Sequence, residues 1–173
     1  MRLTDDMDAT ASLSTIAAAA LGIAGFSGVM TAFMKKPGRL TEVETYRIAV
    51  LLGVSFGGMF LALVPMVLAH FGVGEPRLWG RASLLMVLYS VIALTAYLWS
   101  SYVISRQAPE IFNPYLFSAV ALAHVVNIGL QLVNALRPEV GFASGIYVLG
   151  LTWYLAHAAI QFSRMVFVQP ADR

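Results

Sequence analysis

The chain has 173 residues, of which 59% are hydrophobic and 12% charged, with a net charge of +2 and a mean hydropathy of +0.76. Soluble domains carry about 25% charged residues, so this chain cannot cover a water-facing surface and reads as an integral membrane protein. It has no cysteine, which excludes disulfides, thiolate metal sites and a cysteine nucleophile. Its basic loops account for the small positive charge without nucleic acid.

Five apolar stretches reach the length of about 20 residues that a bilayer demands, at 11–34, 48–69, 82–104, 115–136 and 142–165. They predict an all-α polytopic fold, one transmembrane domain over residues 1–173 built as a five-helix bundle. The first stretch is preceded by the acidic "MRLTDDMDAT" and followed by "KKPGR", the reverse of a cleaved signal peptide. It is therefore expected to stay as an uncleaved first helix. Along it, Ala20, Ala24, Gly28 and Ala32 recur every four residues, with Gly22 and Gly25 beside them. Such ribbons let membrane helices approach closely, inside one chain or between copies in a homo-oligomer.

"LTEVE" supplies a capping box, Thr41 and Glu44, at the start of the second helix. That helix carries Gly53 and Gly57 for packing and Pro65, which is expected to bend its outer third. "GEPRLWGR" separates it from the third, where Ser83, Ser90, Tyr97 and Ser101 share a narrow arc and read as a packing seam. Asn113 and Pro114 in "IFNPY" form the cap and first turn of the fourth helix, and "LRPE" ends it before Pro138.

Seven of the eleven Lys and Arg residues fall in the first loop, the third loop and the C-terminal tail, four on the other side. The inside-positive trend then puts the N-terminus outside and the C-terminus in the cytoplasm, in a bacterial-type cytoplasmic membrane. Lys35, Lys36, Arg39 and Arg47 form the basic cluster at the inner membrane surface, and Trp79 is expected as an outer aromatic anchor opposite Trp99, Tyr102 and Tyr115. His70 is expected to be solvated at the outer boundary.

The fourth helix poses the chemical question. His124, Asn127, Gln131 and Asn134 fall within an arc of about 80° at 100° per residue. Facing lipid, each would lack hydrogen-bond partners. The fifth helix has its own polar face of Tyr147, Gly150, Tyr154, His157, Gln161 and Arg164, within about 100°. The short turn between the two makes them antiparallel neighbours. Equal depth then pairs His124 with His157, Asn127 with Tyr154, Gln131 with Gly150, and Asn134 with Tyr147.

An inward polar face of this kind is an interhelical hydrogen-bond ladder, a ligand- or water-lined interior, or a haem site. In the haem alternative, His124 and His157 would supply both axial nitrogens of a b-type haem. Zinc is not expected, since no carboxylate or thiolate lies within the spans. All nine acids lie outside them, which argues against cation-coupled transport. "GFASGIY" offers a serine, but the following His157 is thirteen residues on, about 20 Å along the same helix, too far for a dyad. In size alone the chain resembles the tryptophan-rich sensory proteins; it has three tryptophans, and no motif assigns it to a family.

The expected function is non-enzymatic, with the polar interior between the fourth and fifth helices binding a small lipophilic ligand, a lipid or a partner subunit. The alternatives are haem-based electron transfer and a structural role in a larger membrane complex. No cofactor is favoured.

Overall fold

A computed structural model describes residues 2–34, 42–75, 77–107, 109, 112–139 and 141–167, without the side chains of residues 2–8, 33, 34, 43 and 167. It consists of five helices: α1 (Arg2–Met34), α2 (Glu42–His70), α3 (Arg77–Gln107), α4 (Pro114–Leu136) and α5 (Ala143–Phe167). All five are long and apolar enough to cross a membrane. They run beyond the expected spans by several residues in α1, α2 and α3, because polar ends continue as helix outside the apolar windows. Lys35, Lys36, Arg39 and the expected cap Thr41 lie outside the described residues.

The α4 start follows its sequence signal. Asn113 is extended at φ −104°, ψ 104°, and its side-chain oxygen accepts from the Leu116 N–H at 3.1 Å, with Pro114 in the first turn. At the other end, the Arg137 N–H closes on the Val133 carbonyl just before Pro138.

The hub of the bundle is α5. Among the described residues it packs on all four other helices, whereas α1 touches only α2 and α5, and α4 only α3 and α5. Apolar residues facing out, among them Phe60, Leu88, Ile92 and Leu122, are exposed on the bundle surface, and Leu51, Ala62, Met86, Leu151 and Ala158 are buried. In lipid the hydrophobic effect does not drive such association, so close packing and interhelical hydrogen bonds must hold it. Glycines mark the close approaches. A Cβ on Gly57 would overlap the Tyr89 ring, and one on Gly80 would meet Pro138 Cβ at 3.1 Å.

On α1 the small-residue ribbon divides. Ala20, Ala24 and Ser27 are buried against the bundle, whereas Gly22, Gly25, Gly28 and Ala32 are exposed. The first set is an intramolecular seam.

Two surface expectations change. Trp79 is not a lipid-facing anchor: it is buried against Tyr147, ring centroids 5.8 Å apart, and its indole N–H donates to Glu75 one turn back. Arg47, expected in the surface basic cluster, is buried on α2. Trp99, Tyr102 and Tyr115 are exposed near their common end of the bundle, and His70 is exposed with Nδ1 2.8 Å from the Met66 carbonyl.

Candidate functional site

The polar stripe of α4 is turned wholly inward. His124, Asn127, Gln131 and Asn134 are all buried, as are Tyr147, Tyr154, His157 and Gln161 of α5. Two hydrogen-bonded groups result, one on each side of a single turn of α4.

The first group is built on the histidines. His124 Nε2 lies 3.1 Å from His157 Nδ1, and the Gln161 side-chain nitrogen lies 3.0 Å from His157 Nε2. An amide N–H can only donate, so His157 Nε2 accepts, and His157 carries its proton on Nδ1. That proton is donated to His124 Nε2, which leaves the His124 proton on Nδ1. Aromatic rings enclose the pair: Trp153 stacks on His157 at 5.7 Å and meets His124 edge-on at 5.5 Å, while Tyr97 meets His157 edge-on at 5.8 Å. The spacing His157–Trp153, four residues on one helix, brings those two rings together.

The second group is anchored on backbone carbonyls at the start of α5. Gln131 Nε2 donates to the Ile146 carbonyl at 2.8 Å, and Asn134 Nδ2 to the Ala143 carbonyl at 2.9 Å. Ser83 of α3 links them, accepting from Asn134 Nδ2 at 2.9 Å and donating to Gln131 Oε1 at 2.9 Å. Gln131 Nε2 also reaches Asn127 Oδ1 at 3.5 Å. Gly150 makes this possible, since a Cβ there would stand 2.5 Å from Gln131 Nε2 and 2.7 Å from Asn127 Oδ1.

Of the pairs expected from equal depth, His124 meets His157 and Gln131 meets Gly150. The two tyrosine pairs are corrected. The Tyr154 hydroxyl lies 2.5 Å from Ser90 Oγ on α3, not on Asn127. The Tyr147 hydroxyl donates to the Leu61 carbonyl on α2 at 2.6 Å, not to Asn134. The reason is Pro65. It has no N–H to give Leu61, four residues earlier, so that carbonyl is free to accept from outside the helix. A two-helix argument could not see these partners, because α5 also faces α2 and α3.

Arg164 lies toward the far end, its guanidinium 5.4 Å above the Phe117 ring and within electrostatic reach of Arg47 and Tyr97. Trp153 and Ser83 were not assigned to the site from sequence. Ser83 was visible only as part of a packing arc, and Trp153 only through its spacing from His157.

The histidine pair does not fit a bis-histidine haem. An iron between them would hold the two nitrogens about 4 Å apart, at about 2 Å per bond, with a flat macrocycle between the rings. Here the rings are directly hydrogen-bonded at 3.1 Å. Among the described residues no group of three or more His, Cys, Asp or Glu side chains is placed to hold a metal ion.

Several buried polar atoms have no hydrogen-bond partner among the described residues: His124 Nδ1, Asn127 Nδ2 and Trp153 Nε1 around the α4–α5 contact, and Asn134 Oδ1 nearly three turns from His124. Unmet groups are uncommon in protein interiors; Tyr46 Oη, Ser55 Oγ and Tyr97 Oη are others among the described residues. Comparison with protein-family models, with curated proteins and with solved structures finds no match.

Proposed function

We propose that this multi-pass membrane protein binds a small lipophilic ligand in the interior where α4, α5 and α3 meet. The observation that carries this is the set of unpartnered buried atoms on His124, Asn127 and Trp153. Burying an unmet donor costs about 1–3 kcal/mol, so three of them on α4 and α5 amount to a substantial penalty that a bound partner would remove. No catalytic constellation accompanies them: the imidazoles bond to each other and to an amide, with no nucleophile or carboxylate in hydrogen-bond contact. The distribution of basic residues supports an N-terminus outside and a C-terminus in the cytoplasm of a bacterial-type cytoplasmic membrane.

The test is mass spectrometry of organic extracts from the purified protein. Wild-type protein is expected to carry one lipophilic species enriched over bulk membrane lipid, and His124→Leu and His157→Leu to lose it while retaining helical circular dichroism. Identical extracts from all three proteins would overturn the proposal.

A further inference from the structure

We infer that the ligand is a neutral lipophile presenting a carbonyl oxygen to His124, Asn127 and Trp153; the inference rests on the binding reading above and names the chemistry of that site. The sense of the hydrogen bonds defines the ligand group. In the group on one side, the Ile146 and Ala143 carbonyls can only accept, so they fix the amide nitrogens of Gln131 and Asn134. With its nitrogen so fixed, Gln131 donates to Asn127, whose contacting atom must therefore be the oxygen. Asn127 is left with its Nδ2 donor unmet. On the other side, the sequence Gln161 to His157 to His124 ends on an unmet Nδ1–H. Both chains thus run out in donors, on residues three apart on one face of α4, about 4.5 Å along the axis. Trp153 adds a third donor, since indole nitrogen can do nothing else.

Three donors without a partner among the described residues select the ligand group. A carbonyl oxygen has no proton of its own, so it accepts from these donors without creating a new unmet group. A hydroxyl, or water, would bring protons that need acceptors. The unmet Asn134 oxygen is ten residues from His124, about 15 Å along α4, and the Tyr97 hydroxyl lies on the Ser101 and Arg164 side. An anion is disfavoured by burial among apolar rings with both imidazoles neutral in this hydrogen-bond pattern. Aliphatic ketones and ring quinones share the required oxygen.

The experiment measures binding to the full chain in lipid nanodiscs with four probes: 2-tridecanone, 2-tridecanol, tridecane and 2-methyl-1,4-naphthoquinone. The ketone and the quinone are expected to bind more tightly than the alcohol and the alkane. The tighter of the two carbonyl probes identifies a chain or a ring source. With a 13C-labelled ketone carbonyl, the infrared stretch should fall to lower frequency on binding. Trp153→Phe and Asn127→Leu should each weaken ketone binding about two- to tenfold, and move the stretch back toward its value in lipid. Trp153→Phe removes one N–H from a partly exposed ring, so it remains informative if His124 variants fail to fold. Equal binding of ketone, alcohol and alkane, lost in Asn127→Leu, would overturn the carbonyl assignment and leave a lipophile site. Failure of every probe to bind, together with unchanged native extracts, would overturn both.

Discussion

At the scale of single residues, Pro65 and Tyr147 show how a defect in one helix is answered by another. Pro65 deprives the Leu61 carbonyl of its helical partner, and the Tyr147 hydroxyl takes that place from α5. Tyr147→Phe is therefore expected to cost about 1–3 kcal/mol, since the carbonyl stays buried and unmet. In a Pro65→Ala background the helix regains its own N–H, and the same change should cost less. Reversible unfolding from mixed micelles, run as a double-mutant cycle, checks this; equal costs in the two backgrounds would show that the hydroxyl does not answer the proline. Pro65 was legible in the sequence as a bend in α2, but the residue that answers its freed carbonyl was not. Nothing in the local pattern says which neighbouring helix will face a freed carbonyl.

At the scale of helices, the polar face of α4 was readable from spacing alone, because unmet polar groups cannot face lipid and must turn inward. Its partners were only half readable. Sequence reasoning paired α4 with α5 through their short turn, and His124 does meet His157 there. It left out α3, whose Ser83 and Ser90 bond Asn134 and Tyr154 in the places expected of Tyr147 and Asn127. Serines at seven-residue spacing look the same whether they make room or make bonds. Gly150 is where the three helices converge: a Cβ there would come within 2.5 Å of Gln131 Nε2 and 2.7 Å of both Asn127 Oδ1 and Met86 Sδ. Gly150→Ala should destabilise by about 1–3 kcal/mol. Much of that loss should return with Met86→Ala, which clears space from the α3 side. The micelle unfolding midpoint of the single and double variants measures it, and a neutral Gly150→Ala would mean the helices have room to separate.

At the scale of the whole molecule, five membrane-spanning lengths were plain from hydropathy, and five helices of that length form the bundle. Which side each end faces is a separate matter of charge. Reporters fused at the C-terminus should be active only if they work in the cytoplasm, and Lys35 and Lys36 changed to Gln together should reduce that bias. A C-terminal reporter active only outside would reverse the proposed orientation. What unifies the molecule is the interior where α5 meets α4 and α3, with the imidazole pair on one side and the Gln131–Asn134–Ser83 group on the other. The direct measurement is nuclear magnetic resonance on 15N-histidine-labelled protein, looking for scalar coupling between ring nitrogens across the His124–His157 hydrogen bond. A coupling between His124 Nε2 and His157 Nδ1 that vanishes in His157→Leu is the predicted result. Two imidazoles with no coupling, both exchanging their ring protons rapidly with solvent, would contradict it.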